Sequence, residues 1–316
     1  MTPSLLERVD AVLERLGDVG GIEAGVGALR ESFGGRVRVF VGGAEDVAGP
    51  VRRALETAAL PVEVCGDPLL ADALVTVVRP TPARPPQPDP VHLAAPASCL
   101  LVLSPVDETV GGTADGWAGV CAWYTDPGRL PWIPGAVVAV AGRAAEGAAR
   151  LEPGEIEALA AIAESPVGER LTTTVDRFRG PDPPDPAPAI RTRLLSRLGL
   201  FGVRSAVEAL ASGRTDPAGV QEYLRQASGM AALGEAVVGR FGGHAEVLRA
   251  RSVLLALQRL AAGSGEEVRE VVERSVEEVL AKSPELTVLR LESLVLSGLV
   301  EVGDGERAEL LALTRG

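Results

Sequence analysis

The chain has 316 residues, 46% of them hydrophobic, which is enough to bury the cores of two modest domains or one large one. A net charge of −12 and a pI of about 4.9 argue against the basic surface that nucleic-acid binding or docking on anionic lipid requires. Three widely spaced cysteines, Cys65, Cys99 and Cys121, form neither a disulfide framework nor a zinc-ligand pattern, so a reducing cytoplasm fits best.

The first half of the chain alternates predicted helices with short apolar strands. Residues 4–16 predict a charged amphipathic helix rather than a signal peptide, and no apolar run reaches the roughly 18 residues of a membrane span. The strands are predicted at 36–42, 72–78, 98–104 and 136–141, and two further helices at 50–59 and 155–164. Strands that alternate with helices indicate a parallel, doubly wound sheet.

Two proline-rich stretches interrupt this pattern. Residues 79–90 (RPTPARPPQPDP) predict an extended surface loop, because proline at this density neither pairs in a sheet nor continues a helix. The alternative is that they form a ligand for a proline-binding groove. Residues 180–189 (GPDPPDPAPA) mark the predicted domain boundary, and the apolar pattern after them is helical throughout.

These boundaries predict a fold of the class α/β plus all-α. N-terminal helices at 1–33 are expected to pack on a helical bundle, and 34–179 form an α/β domain with a parallel sheet. A proline-rich linker at 180–190 leads into an antiparallel helical bundle at 191–316.

The segment FVGGAEDVAGPVRRAL, at 40–55, has the strand–glycine–helix outline of a phosphate-binding P-loop without its chemistry. In the motif G-x-x-x-x-G-K-[ST], the lysine reaches the phosphates and the hydroxyl ligates magnesium. Here the glycines are too far apart, and proline and valine stand where the lysine and the hydroxyl belong. The degenerate positions are Gly42, Gly43, Gly49, Pro50 and Val51.

The other signals of a guanine-nucleotide site are missing from the sequence as well. The chain has no asparagine for an N-K-x-D guanine reader, and its only lysine is the remote Lys282. The proline-rich loop stands where a D-x-x-G magnesium switch would follow the second strand. Arg52 and Arg53 are the nearby cations, but they lie one turn into the predicted helix. We therefore expect no catalytic residue, no nucleotide cofactor and no metal site.

Several segments, taken in order, resemble bacterial dynamin-like GTPases. Three of them are similar to the G domain of that family: 60–80 (LPVEVCGDPLLADALVTVVRP), 94–109 (AAPASCLLVLSPVDET) and 171–178 (LTTTVDRF). The helical half is more similar, and it resembles the actinobacterial isoniazid-inducible and sporulation dynamin-like proteins. The stretches concerned are 193–204 (RLLSRLGLFGVR), 227–230 (ASGM), 241–260 (FGGHAEVLRARSVLLALQRL) and 285–298.

The resemblance implies a degenerate P-loop-GTPase-like sheet followed by a helical neck, in a family that remodels membranes. Because the catalytic positions are replaced, we interpret the chain as a pseudo-GTPase that acts as partner or regulator of an active dynamin-like GTPase, or pairs with itself. The implied location is the cytoplasm, with peripheral attachment through the partner to the inner face of the cell membrane. A free-standing interaction adaptor with no membrane role is the alternative, and a divergent nucleotide-binding enzyme is a third interpretation.

Clustered aromatic residues supply the candidate interface. All three tryptophans fall within 115–135, a Pro/Gly-rich stretch that we predict to be a loop. Such a cluster anchors a partner or a membrane contact, or else plugs the end of an aliphatic core, and the sequence leaves both readings open. The predicted helix 191–211 is apolar, and burial in the bundle is favoured over contact with lipid. The candidate interface residues are Trp117, Trp123, Trp132 and Phe201.

Overall fold

The computed structural model describes residues 3–81, 98–109, 114–126, 137–182 and 185–296, together with residues 303 and 305. Within these ranges, helices surround one parallel sheet, which confirms the predicted combination of α/β and helical structure. The strands are β1 (Val37–Gly42), β2 (Val62–Cys65), β3 (Ala73–Val78), β4 (Cys99–Leu103) and β5 (Val137–Ala139).

Fifteen α-helices and one π-helical turn, Val238–Gly242, lie within the described ranges. Those of the first half are α1 (Leu5–Leu16), α2 (Glu23–Phe33), α3 (Glu45–Thr57), α4 (Val106–Thr109), α5 (Ala114–Thr125), α6 (Gly142–Ala148), α7 (Pro153–Glu164), α8 (Gly168–Leu171) and α9 (Val175–Arg179). Those of the second half are α10 (Pro188–Ala211), α11 (Pro217–Ala227), α12 (Met230–Val237), α13 (Ala245–Ala262), α14 (Glu266–Ala281) and α15 (Pro284–Leu296).

The sheet has the strand order β2-β1-β3-β4-β5, and all neighbouring strands are parallel. The four strands predicted from the sequence are all present, and β2 is an additional edge strand. This order is the one found in flavodoxin-like folds, in which the chain reverses its direction of winding between β1 and β3. In such sheets ligands bind outside the carboxyl ends of the strands at that reversal, so the structure directs attention to the ends of β1 and β3.

One face of the sheet is closed by α3 and α12. Valines alternate along β1 and β3 toward this face, since successive strand residues point to opposite sides. Val39, Val41, Val75 and Val77 are buried there against the apolar side of α3. Leu233 of α12 joins the same core, so this helix from the second half of the chain is part of the sheet's packing.

The structure corrects the predicted start of α3. We expected the helix to begin at Pro50, because proline is favoured in the first helical turn. Instead it begins at Glu45, and Pro50 lies inside the helix. Glu45 and Asp46 occupy the first turn, where the positive end of the helix dipole favours acidic side chains.

The tryptophan-rich stretch is also corrected, because part of it is a helix and not a loop. Residues Ala114–Thr125 form α5, which packs over the ends of β4 and β5. Tyr124 is fully buried in this contact, and its hydroxyl accepts a hydrogen bond from the backbone N–H of Thr81 at 3.0 Å. The helix covers the β4–β5 half of the second sheet face.

Helix α10 joins the second half of the chain to the first. It contributes Leu194 and Leu198 to a core that also contains Leu159 and Ile162 of α7. The helix bends at Gly199, whose φ of 68° lies in the left-handed region. This core is therefore shared across the predicted boundary at 180–190, and the division into domains stays a prediction.

The buried Arg191 fixes the described part of the predicted linker to α10. Its guanidinium donates to the backbone carbonyls of Gly180, at 2.5 Å, and Asp182, at 3.3 Å. Burial lowers the pKa of Arg191, while the charge of Asp182 opposes that effect.

The N-terminal helices form a separate core with the C-terminal ones. Val9 and Leu13 of α1 and Val26 of α2 pack against Leu257 of α13 and Val276 of α14. Surface ion pairs join the same elements; Arg15 of α1, for example, lies 3.4 Å from Glu278 of α14. Helices α1 and α2 thus contact the helices of the second half directly.

Candidate functional site

The carboxyl edge of the sheet, where the topology directs attention, brings together residues from four strand ends. Gly43 follows β1, Arg79 follows β3, Asp107 and Glu108 follow β4, and Arg143 follows β5. Parallel strands end at a common edge, so these residues converge although they are far apart in the sequence.

The connection from β1 to α3 is only two residues long, Gly43 and Ala44. Gly43 has a φ of 139°, and a Cβ at this position would lie 2.3 Å from the carbonyl oxygen of Val77 in β3. Only glycine fits this close approach of two backbones. A P-loop instead needs a longer loop whose N–H groups curl around phosphate, and the residues that would form it here are the first turns of α3.

The three other degenerate positions of the α3 segment lie on or within that helix. Val51 is 0% exposed, and Pro50 and Val51 face Gly142 at the start of α6. A Cβ on Gly142 would lie 3.1 Å from Val51 Cγ2 and 3.3 Å from Pro50 Cβ. Gly49 is also buried and leaves room for the side chains of Glu45 and Arg53, which form an ion pair of 3.6 Å across it. The positions of the motif's lysine and hydroxyl are therefore packed against α6.

The two arginines nearest to this segment are both held by carboxylates. Arg52 Nη2 donates to Glu45 Oε1 at 2.7 Å, and Arg53 donates through Nε and Nη2 to Glu146 of α6 at 2.7 and 3.0 Å. The hydrogen bond to Glu146 raises the pKa of Arg53. The Arg53–Glu146 pair is bidentate, which gives it more geometric specificity than a single contact.

Charges alternate along the carboxyl edge. Arg79 lies 3.1 Å from Asp46 and 3.7 Å from Glu108, and Arg143 lies 3.9 Å from the same Glu108. We call Asp46, Arg79, Glu108 and Arg143 the edge charge chain. Its members are exposed, so each ion pair contributes little to the stability of the fold. Each of the two arginines already lies beside a carboxylate, which compensates its charge.

Asp107 sits beside the edge charge chain in a different environment. Its Oδ1 is buried and has no hydrogen-bond partner among the described residues. The pKa of Asp107 is raised to about 6, mainly by burial and also by the neighbouring charge of Glu108, while backbone hydrogen bonds and Arg143 oppose the rise. This carboxyl group therefore gains and loses its proton close to neutral pH.

A cavity of about 1040 Å³ opens beside the same strands, on the face opposite to α3. Its apolar lining comes mainly from the sheet and from α13: Phe40, Leu74, Val78, Leu101 and Leu255. Its charged lining residues are Asp46, Asp72, Arg79, Arg251 and Arg259. Gly42 and Gly43 form part of its wall, so these degenerate P-loop positions border a cavity without forming a phosphate loop.

The candidate interface residues make contacts within the chain. Trp117 of α5 lies against Phe201 of α10, with ring centroids 5.2 Å apart, and both side chains are partly buried. Trp123 is partly buried and packs edge-on against Tyr124, at 4.9 Å between centroids. Trp132 lies outside the described residues. The described aromatic residues thus contribute to intramolecular packing, and their role at an interface stays a prediction.

Among the described residues, the carboxyl edge of the sheet has neither a disulfide nor a group of side chains that could bind a metal ion. Cys65, Cys99 and Cys121 are thiols rather than disulfides, and burial raises the pKa of Cys65 and of Cys121. Among the described residues there is no group of three or more His, Cys, Asp or Glu side chains that could hold a metal ion. Within the same described ranges, no helix is both long enough and apolar enough to span a membrane.

The sequence analysis missed the edge charge chain, Asp107 and the two arginines of α13. The signal for the edge was present, because Arg79, Asp107 and Arg143 each follow a predicted apolar strand by a few residues. Nothing in the local sequence pairs Arg251 or Arg259 with β3, since that contact depends on how α13 packs on the sheet.

Comparisons with known proteins show a relative from a mycobacterium. No family model matches the chain, and no solved structure matches it significantly. The isoniazid-induced protein IniC, from two strains of Mycobacterium tuberculosis (CDC 1551 / Oshkosh and ATCC 25618 / H37Rv), is 33% identical over 221 residues, which is 68% of this chain and 45% of the relative. The chain thus spans less than half the length of the curated relatives it matches. Over those residues it is homologous to a mycobacterial isoniazid-induced protein, which supports the predicted relation to the isoniazid-inducible proteins of actinobacteria.

Proposed function

We propose that the chain is a catalytically inactive, dynamin-like pseudo-GTPase that acts as partner or regulator of an active dynamin-like GTPase in membrane remodelling or septation. The observation that carries this proposal is the start of α3 two residues after β1. The segment that would cradle phosphate is helical, and Val51 is buried against α6.

Binding a nucleotide phosphate at this edge would require several unfavourable changes. The first turn of α3 already carries Glu45 and Asp46, whose negative charges would repel an anion at the helix N-terminus. Moving Val51 away from Gly142 would expose a buried valine side chain to water, at a cost of about 1.5–3 kcal/mol in free energy. The nearby Arg52 and Arg53 would have to exchange their carboxylate partners for phosphate.

The role as a partner rests on the relationship and on surface features. The name of the mycobacterial relative records induction by isoniazid, and the dynamin-like part of the proposal comes from the sequence resemblance. Two adjacent leucines in the β2–β3 connection, Leu69 and Leu70, are 59% and 49% exposed. Exposed apolar pairs of this kind suit contact with another protein. Membrane attachment would then come through the partner.

The test is reconstitution with a dynamin-like GTPase that retains an intact G-x-x-x-x-G-K-S motif. We expect the two proteins to co-elute in size-exclusion chromatography and the GTPase rate to change when this chain is added. Replacing both leucines, Leu69→Asp with Leu70→Asp, should abolish both effects without altering the melting temperature. Separate elution together with an unchanged GTPase rate would contradict the proposal.

A free-standing adaptor is the second candidate, because the exposed leucines serve any protein partner equally well. Flotation with liposomes separates the two functions. A pseudo-GTPase partner is expected to float only when the active GTPase is present. An adaptor without a membrane role would stay at the bottom of the gradient even in the presence of the GTPase that it binds.

A further inference from the structure

The cavity beside β1 and β3 has the shape and the lining of a binding site for an amphipathic anion. Its wall follows β3 from Asp72, just before the strand, to Arg79, just after it. Six strand residues at about 3.3 Å each make this face about 17 Å long or more. The volume of about 1040 Å³ is at the upper end of the range for small-molecule sites.

The apolar part of the lining lies in the middle of the cavity. Phe40 on β1 and Leu74 and Val78 on β3 point to the face opposite to α3, where Leu101 of β4 and Leu255 of α13 extend the wall. Such a wall suits a hydrocarbon chain that lies along the strands.

Charged residues lie at both ends of the lining. Asp46 pairs with Arg79 at the carboxyl end of the strands. Asp72, at the amino end, is buried and accepts hydrogen bonds from Arg38, which lies outside the lining, and from the hydroxyl of Ser252. Arg251, which precedes Ser252 on α13, and Arg259, which donates to the backbone carbonyl of Leu69 at 3.0 Å, add two positive charges at this end.

The two arginines of α13 influence each other. Arg251 and Arg259 are two helical turns apart and both reach the cavity. Burial lowers the pKa of Arg251, and the positive charge of Arg259 lowers it as well. A guanidinium keeps its proton at neutral pH in spite of such shifts, so a bound anion would offset both burial and repulsion.

We propose that this cavity binds a long-chain fatty acid, with its hydrocarbon chain along β1 and β3 and its carboxylate beside Arg251 and Arg259. This inference goes beyond the proposed function: the cavity lies on the opposite face of the sheet from the packed α3–α6 contact, although its lining shares Leu69 with the exposed leucine pair.

The test is displacement of the fluorescent fatty acid cis-parinarate from the purified chain. We expect palmitate to displace the probe, and acetate and hexadecanol to fail, since the first lacks the hydrocarbon chain and the second lacks the charge. Each methylene removed from the competing fatty acid should weaken displacement by about fourfold. Anionic liposomes are expected not to displace the probe, which separates a free fatty acid from a membrane lipid as the source.

Variants of α13 supply matched controls. Arg259 is exposed and bonds the backbone carbonyl of Leu69, so Arg259→Gln should leave the fold intact and weaken palmitate binding about tenfold or more. Arg249 lies on the same helix and likewise bonds a backbone carbonyl, that of Gly35, but it does not line the cavity, so Arg249→Gln should bind as the parent does. Leu255→Trp should narrow the apolar part of the cavity, obstruct the hydrocarbon chain and abolish palmitate binding.

Three results would overturn the proposal: palmitate that fails to displace the probe, hexadecanol that competes as well as palmitate, or equal losses in Arg259→Gln and Arg249→Gln. Displacement by liposomes but not by palmitate would also overturn it. A rise in melting temperature with palmitate, absent in Leu255→Trp, provides a second readout in support.

Discussion

The two sides of the central sheet differ in how they use the same strands. On one side, β1 and β3 are sealed by α3, and the edge of that side is closed by the contact of Pro50 and Val51 with Gly142. On the other side, the same strands border a cavity of about 1040 Å³. The same two strands thus support one side that is packed closed and another that borders ligand-sized space.

The electrostatics of the two sides differ in the same way. Along the edge charge chain, Arg79 and Arg143 each have an acidic neighbour, and α3 begins with two acidic residues. At the amino end of the cavity, Arg251 and Arg259 lie near Asp72, whose charge Arg38 already compensates, so the described residues there carry an excess of positive charge. An anion is therefore repelled at the start of α3 and attracted at the α13 end of the cavity.

The largest effect is expected from Gly43→Ala, which disrupts the close approach of the β1–α3 connection to β3. The new Cβ would lie 2.3 Å from Val77 O, and alanine is strained at a φ of 139°. We expect a loss of about 2–5 kcal/mol in the free energy of unfolding, measured by urea denaturation. Gly66→Ala, where a Cβ meets nothing within 4 Å, is the control and should change stability by less than about 1 kcal/mol.

Val51→Ser tests two explanations for the expected failure of this segment to bind nucleotide. One is the tight packing of α3, and the other is the absence of a hydroxyl at position 51. The substitution restores the residue type of the P-loop motif but buries a hydroxyl where a valine is 0% exposed. We expect a loss of about 1–3 kcal/mol in stability and no gain in GTP binding. Val175→Ser, at a site 40% exposed, is the matched control. GTP binding by Val51→Ser would show that the helical segment opens readily.

Asp107, at the carboxyl edge of the sheet, should make the free energy of unfolding depend on pH. Because the folded protein holds its pKa at about 6, above the ordinary 3.8, the folded state binds the proton more tightly than the unfolded state does. The stability of the fold should therefore fall as pH rises from about 4 to about 6. Asp107→Asn should remove this slope and be more stable than the parent by about 1–3 kcal/mol at pH 7.

The measurement for Asp107 is urea denaturation of parent and variant between pH 4 and pH 7.5. Asp18→Asn, at an exposed position, is the control and should keep the slope of the parent. Parallel curves for the parent and Asp107→Asn would contradict the assigned role of burial.

The smallest effect is expected from the contact of Trp117 with Phe201. A double-mutant cycle with alanine at both positions should give a coupling free energy of about 0.5–1.5 kcal/mol, the usual range for an aromatic pair. Thermal or urea unfolding of the four proteins provides the values. A coupling near zero would leave both side chains available for an external interface.

The sequence predicted the regular elements well where the pattern was periodic and apolar. The runs at β1, β3, β4 and β5 are each apolar and flanked by turn residues, and each is a strand in the structure. The edge strand β2 was missed because its residues are only partly buried, so Val62–Cys65 shows no apolar run. Strand order depends on contacts distant in sequence, and local patterns do not contain it.

The start of α3 and the helical state of α5 were predicted wrongly, because proline and glycine were given more weight than acidic first-turn residues and helical spacing. In α3 the acidic residues Glu45 and Asp46 indicated the true start, but Pro50 suggested a later one. In α5 the spacing of Trp117, Val120, Cys121 and Tyr124 is helical, although the helix contains two glycines. The absence of a P-loop motif at 40–55 was readable from the sequence, whereas the cavity depends on how α13 packs on the sheet.

Isothermal titration of the purified chain with GTP and with GDP, in the presence of Mg²⁺, tests the central claim most directly. The account predicts no binding at micromolar concentrations, because α3 and α6 occupy the place of the phosphate loop. A dissociation constant in the micromolar range for either nucleotide would contradict it.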